Sequence, residues 1–145
     1  MSDMIYHLDL KFDKKILLRE MPETKTFSKL NPSWRKTYQM GEYGRSIKNK
    51  FSKMFDGNIR TSYHHQPKNT IILNHKDTSC KCSINFKLTD DTLGIMLDGN
   101  EFFYNCALIN VSKYSHGVKQ TNTDRILFRI IFDNDEFDTV LRKLK

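Results

Sequence analysis

The stretch IILNHKDTSCKCSINF, residues 71–86, sets two residue types that do chemistry one position apart: His75 and Asp77, in what reads as a strand. Strand side chains alternate, so Ile71, Leu73, His75 and Asp77 fall on one face and Ile72, Asn74 and Lys76 on the other. The imidazole and the carboxylate thus end a row that begins apolar. Polar groups on an inward row need partners, because burying them unpaired is costly, and a metal ion satisfies both types at once. A mononuclear iron site of the two-histidine, one-carboxylate kind takes H-x-D from one strand and a second histidine from a distant one. His116, in ALINVSKYSHGVKQTNTDRILFRIIF, follows a strand and precedes Arg125 by nine positions. Arg125 opens the most regular strand of the chain. There Ile126, Phe128, Ile130 and Phe132 form one face, while Arg125, Leu127, Arg129 and Ile131 form the other.

Elements able to position such residues are legible around them. From Asn58 onward short strand-like runs follow one another (NIRTSYHHQ, NTIILNHKD, SCKCSINFKLT, TLGIMLDG, EFFYNC, ALINVSK, GVKQT, DRILFRIIF), separated by turn signals such as QPKN, TDD, DGN and TNTD. Closely spaced strands with few helices predict a sandwich or small barrel. Residues 1–57 read as a mixed flanking segment: a strand over Met4–Phe12, an irregular stretch around Pro22 and Pro32, and a helix near Tyr43–Phe55 with Ile47, Phe51, Met54 and Phe55 at helical spacing. NDEFDTVLRKLK, at the end, has acidic residues first and basic ones last, which complements a helix dipole. The expectation is one domain over residues 1–145, with a β core at 58–134 and a helix at 135–145.

Composition narrows the function classes. No apolar run approaches the roughly 20 residues needed to span a bilayer, and the alternating N-terminus MSDMIYHLDLKFDKK lacks a signal-like apolar region, so a cytoplasmic protein with no membrane partner is expected. Cys80, Cys82 and Cys106 make an odd count without a C-x-x-C pair; they read as reduced core thiols, with Cys80 and Cys82 sharing a face with Ile84, Phe86 and Leu88. The formal charge of +7 is concentrated early: 14 Lys/Arg against 7 Asp/Glu in residues 1–70, and 10 against 10 in residues 71–145. A basic first half draws phosphates or acidic substrates, or is simply a solvated surface.

Taken together, H-x-D at His75 and Asp77, the distal His116 and the arginine-initiated strand at Arg125 resemble the signature of Fe(II)- and 2-oxoglutarate-dependent oxygenases. The segment LINVSKYSHGVKQTNTDRILFRIIF is similar, in particular, to the aspartyl/asparaginyl β-hydroxylase branch. Asp77 departs from that branch, where two histidines often hold the metal alone. The resemblance covers roughly residues 58–134 and implies a mainly β fold with flanking helices, a double-stranded β-helix of the jelly-roll, cupin-like kind. It implies that His75, Asp77 and His116 bind Fe(II) and that Arg125 pairs with the distal carboxylate of 2-oxoglutarate, for which its rigid fork is suited; Arg129 takes that place if the register differs. Lys81, Ser83 and Asn85 are the implied polar contacts of the cosubstrate pocket. The activity implied is oxidative decarboxylation of 2-oxoglutarate coupled to hydroxylation of an amino-acid side chain, free or in a peptide, with an acidic substrate suiting the basic half.

The competing expectation is a basic β-sandwich that binds nucleic acid or an acidic partner without catalysis, though it lacks the stacked aromatic platform of single-strand binders. His64 and His65, adjacent in a strand, point to opposite faces and do not share one ion. Trp34 and Tyr38 fit either a core or a substrate lid.

Overall fold

The computed structural model describes residues 3–145. Strand β1 (Ile5–His7) is followed by helix α1 (Lys14–Glu20), a 3-10 turn at Thr24–Thr26, and strands β2 (Ser28–Asn31) and β3 (Trp34–Thr37). Helix α2 (Glu42–Met54) leads into β4 (Ile59–Gln66), β5 (Ile72–His75), β6 (Cys82–Lys87), β7 (Ile95–Leu97), β8 (Asn100–Phe102), β9 (Cys106–Ile109), β10 (His116–Val118) and β11 (Arg125–Phe132), and α3 (Phe137–Leu144) closes the chain. Two antiparallel sheets result: a large one in the order β1-β9-β6-β11-β4-β3-β2 and a small one in the order β5-β10-β7-β8. They face each other as a double-stranded β-helix, the fold that the resemblance implies, where the strand texture predicts only a sandwich or small barrel.

Alternation along β11 decides what each face of the large sheet meets. Phe128, Ile130 and Phe132 pack outward with Ile59 and Tyr63 of β4, Ile84 and Phe86 of β6, and the apolar stripes of the helices: Leu17, Ile47, Phe51, Phe137, Val140 and Leu141. The Tyr63 hydroxyl donates to Leu17 O at 2.8 Å, tying α1 to the sheet. Arg125, Leu127, Arg129 and Ile131 point the other way, toward the small sheet. A second cluster lies between the sheets, with Ile95 and Leu97 meeting Ala107, Ile109, Ile131 and Tyr104.

Several elements differ from their sequence reading, each for a local reason. The strand expected over Met4–Phe12 is only Ile5–His7, paired with β9 over Ala107–Ile109; the chain then leads into α1, where the Asp13 carboxylate accepts from the backbone N–H of Lys15 and Ile16. The irregular stretch holds the β2–β3 hairpin, which adds to the edge of the large sheet through β4. Helix α2 begins one residue before the expected Tyr43, and the Glu20 carboxylate accepts from Tyr43 N and Gly44 N at 2.8 and 3.0 Å, satisfying two amides that a helix N-terminus leaves open. Asp98 and Gly99, both at positive φ, form the two-residue turn of the β7–β8 hairpin. The three cysteines are free and buried. Cys82 packs on the helical side as expected, but Cys80 lies before β6 begins and turns to the inter-sheet cluster.

Candidate metal centre

His75 and His116 are direct cross-strand partners on β5 and β10, with ring centroids 4.4 Å apart. Asp77 lies two residues past β5, where its backbone N–H donates to Val111 O at 3.0 Å. The Asp77 Oδ1 atom is 3.4 Å from His75 Nε2 and 3.4 Å from His116 Nε2, and the three donor atoms lie within 4.8 Å of one another. No other group of three or more potential ligands gathers this way among the described residues.

The reason these side chains meet is not the alternation read from the sequence. Ile71 and Leu73 are exposed, and Ile72 is the buried residue of β5. His116 pairs with His75 and Val118 with Ile72, so two steps along β10 match three along β5. This bulge adds a residue to β5 and brings Ile72 and His75 to the same inward face. Gly117 lies opposite the bulge; a Cβ there would stand 2.5 Å from Ile72 O and 2.7 Å from Asn74 Oδ1.

Hydrogen bonds fix the imidazoles for metal binding. His75 Nδ1 faces Leu73 O at 2.8 Å and His116 Nδ1 faces Tyr114 O at 3.1 Å. A carbonyl only accepts, so each Nδ1 donates to it, and the Nε2 atom of each ring is the one turned toward Asp77. Two imidazole nitrogens and a carboxylate oxygen thus gather within 4.8 Å of one another, a donor set suited to a metal ion. Backbone carbonyls orienting ligand histidines through Nδ1 are the usual outer support of such a site.

Charge around the carboxylate agrees. Burial alone would raise the Asp77 carboxyl, but the hydrogen bonds of His116 and His75 and the charge of Arg129 outweigh it and hold Asp77 well below the usual carboxylate range. The hydrogen bond to Asp77 raises His75 above the ordinary histidine value. Arg129 Nη2 donates to Asp77 Oδ2 at 3.3 Å and to Ser83 Oγ at 2.8 Å, while Arg129 Nε donates to Asn85 Oδ1 at 3.0 Å. Asp77 therefore turns Oδ1 to the histidines and Oδ2 to Arg129.

A cavity of about 40 Å³ lies beside the triad, lined by His75, Asp77, His116, Asn85, Tyr104, Arg125 and Arg129 among others. Arg125 stands at its far side, buried, with Nε on Asp91 Oδ1 at 3.1 Å and Nη1 on Gln66 Oε1 at 2.7 Å. Lys87 reaches the same Asp91 carboxylate at 3.0 Å. Two buried cations share one carboxylate, and the unit keeps a positive charge that a second anion would balance. The Tyr104 hydroxyl, buried and raised in pKa first by that burial, lines the same cavity as a neutral donor.

Of the polar contacts expected on β6, Asn85 lines the cavity and Ser83 is tied to it through Arg129, whereas Lys81 does not reach it. Lys81 precedes the strand, is half exposed and approaches Glu136 at 3.6 Å. Sequence reasoning missed Tyr104, Asp91, Lys87 and Gln66. Tyr104 sits in a loop between β8 and β9, where no periodicity marks it.

No protein-family model and no curated protein matches the chain. Among solved structures it is similar to a prolyl-4-hydroxylase from Pseudomonas putida (TM-score 0.55, 11% identity, covering 70% of this chain and 72% of that one). KdgF from Halomonas sp. is another likeness (TM-score 0.51, 8% identity, 80% and 93% covered). A third is an oxidoreductase of the 2OG-Fe(II) oxygenase family from Burkholderia pseudomallei (TM-score 0.51, 12% identity, 78% and 75% covered). At these identities the likeness is one of fold, and it identifies the double-stranded β-helix.

Proposed function

We propose that this chain is an Fe(II)- and 2-oxoglutarate-dependent dioxygenase that hydroxylates an amino-acid side chain, free or within a peptide. One observation carries the reading: His75 Nε2 and His116 Nε2 each lie 3.4 Å from Asp77 Oδ1, and the three ligand atoms gather within 4.8 Å of one another. Two imidazoles and one carboxylate are the donor set that holds Fe(II) and leaves positions free for other ligands. Two of the solved structures of similar fold are a prolyl-4-hydroxylase and a 2OG-Fe(II) oxygenase family member, which supports an oxygenase.

When bound, iron supplies the dioxygen chemistry that couples decarboxylation of a 2-oxo acid to hydroxylation of a C–H bond. The chain's residues do the rest. His75, Asp77 and His116 hold the metal, and Arg129 keeps Asp77 oriented. The excess positive charge of Arg125 and Lys87 over Asp91, with the Tyr104 hydroxyl, fits the far carboxylate of 2-oxoglutarate. The cavity of about 40 Å³ has room for one or two waters, so a five-carbon diacid needs more space than the cavity alone gives. A larger groove adjoins it, and the two share Trp34, Ile72, His75, Asp77 and Arg129 in their linings.

Succinate formation from 2-oxoglutarate tests the reading. Turnover that needs Fe(II) and is abolished in His75→Ala, Asp77→Ala and His116→Ala is the expected result. Turnover surviving all three replacements would exclude the assignment.

A further inference from the structure

Where helix α2 packs on β4, a recess of about 390 Å³ is lined by Tyr38, Met40, Arg45, Lys48, Arg60 and Thr61. None of the candidate metal ligands lines it, and Tyr38 and Arg60 stand between it and the groove that adjoins the metal centre. Three of its six side chains are cationic and none is a carboxylate. Thr61, buried on β4, closes the bottom. A lining of one sign of charge concentrates the opposite ion.

Helix α2 buries Gly44, Ile47 and Phe51, and Arg45 and Lys48 emerge one turn apart on the flank of that stripe. Like charges at this spacing repel, so the pair costs stability unless an anion answers it. Elsewhere on the surface lysines are answered: Lys11 by Asp9, Lys25 by Glu23, Lys113 by Asp3 and Lys119 by Glu101. Neither Arg45 nor Lys48 pairs with a carboxylate among the described residues. Arg45 Nη1 donates to Met40 O at 2.8 Å, which holds the guanidinium in place with its other N–H groups to spare. Arg60 uses Nε and Nη2 on Asp133 and donates from Nη1 to the Tyr38 hydroxyl at 2.8 Å. Lys36 Nζ donates to the same oxygen at 2.8 Å. Having accepted twice, the Tyr38 hydroxyl keeps its own O–H to donate.

We propose that Arg45, Lys48 and the Tyr38 hydroxyl bind a phosphate group, with Arg60 and Lys36 fixing Tyr38 from behind. A guanidinium fork, an ammonium and a hydroxyl outnumber the two oxygens of a carboxylate and match the three open oxygens of a phosphate ester. The recess is separate from the metal centre, so it binds phosphate whether or not iron binds at the triad. The phosphate comes either from a small phosphoester or from a nucleic-acid backbone, and the two differ in how affinity grows with the number of linked phosphates.

Calorimetric titration of the metal-stripped full chain tests this, at fixed ionic strength because exposed charges are screened by salt. The probes are inorganic phosphate, acetate, thymidine monophosphate and a short oligothymidylate. The expected result is saturable phosphate binding about tenfold tighter than acetate, the factor one more charge-assisted hydrogen bond is worth. Arg45→Gln and Lys48→Gln should each weaken phosphate by about the same factor, and Tyr38→Phe by less. Arg45 and Lys48 are exposed, so their variants fold. Lys11→Gln removes the same charge outside the recess and should leave affinity unchanged. Oligothymidylate binding far more tightly than the monophosphate, and weakened by Lys48→Gln, assigns the site to a nucleic-acid backbone; equal affinities assign it to a small phosphoester. Acetate binding as well as phosphate, full phosphate affinity in both α2 variants, or an equal loss in Lys11→Gln would overturn the site. Phosphate binding in a protein that forms no iron–2-oxoglutarate complex would remove the oxygenase reading and leave this site standing.

Discussion

Gly117→Ala should dismantle the metal centre without touching a ligand. The added Cβ would stand 2.5 Å from Ile72 O, 2.7 Å from Asn74 Oδ1 and 3.1 Å from Asn74 N. Carbon and carbonyl oxygen approach no closer than about 3.3 Å even in attractive contacts, so the strands must part by about 0.8 Å. Strand β10 is held on both sides, whereas β5 is the edge of the small sheet, so β5 moves. It carries His75, with Asp77 two residues on, away from His116. Sites of this kind hold their geometry to about 0.5 Å, and a shift beyond that should weaken metal binding by about 10- to 100-fold, the loss usual when ligand support is disturbed. Overpacking of this sort costs about 1–3 kcal/mol, a fall in melting temperature of about 3 to 9 °C for a chain of this size. Anaerobic competition for Fe(II) against a chelator, with thermal unfolding of the metal-free protein in parallel, reads both. Wild-type affinity in a destabilised variant would refute the idea that the bulge sets the triad.

Other consequences are checked more briefly. Arg125→Met should keep metal binding but lose 2-oxoglutarate-dependent signals, and it should destabilise the fold by about 1–3 kcal/mol, because Gln66 Oε1 loses its buried donor while Lys87 still balances Asp91; urea unfolding measures the second effect. Tyr104→Phe should weaken 2-oxoglutarate by about tenfold with the melting temperature nearly unchanged, as expected for loss of one hydrogen bond to a charged group. Metal binding should weaken as pH falls, starting above the ordinary histidine value because the bond to Asp77 raises His75. The metal-free protein behaves oppositely: a raised folded-state pKa contributes stability that is complete below about pH 6.5 and lost as pH rises through the folded value. Isothermal titration and thermal unfolding across pH 6 to 8.5 would show the two trends crossing.

The sequence displayed the candidate ligands and concealed how they are brought together. H-x-D and a distant histidine were visible as spacings, and β11 was readable because Ile126, Phe128, Ile130 and Phe132 alternate against the helices without interruption. On β5, strict alternation assigned Ile71 and Leu73 to the core, but the bulge opposite Gly117 reverses that parity. A bulge is decided by the partner strand, which lies some 40 residues away and leaves no mark in IILNHKD. The β2–β3 hairpin escaped notice because neither strand has a buried face: Ser28–Asn31 is exposed throughout and Trp34–Thr37 is half-buried throughout. Helix α1, at seven residues, is too short to show a period. Lys81 was grouped with Ser83 and Asn85 by counting in twos, yet the strand begins at Cys82. The charge count did better, since the basic excess of the first half includes the Lys36 and Arg60 that line the groove.

The central claim is an iron site that takes a 2-oxo acid. Its most direct test is anaerobic addition of Fe(II) and 2-oxoglutarate to the metal-stripped protein, following the visible charge-transfer band of the chelated acid in wild type and His116→Ala. A band that requires both additions and is absent from the variant is the predicted result. A folded wild-type protein that binds Fe(II) at His75, Asp77 and His116 but develops no band would contradict it, as would a band of equal strength in His116→Ala.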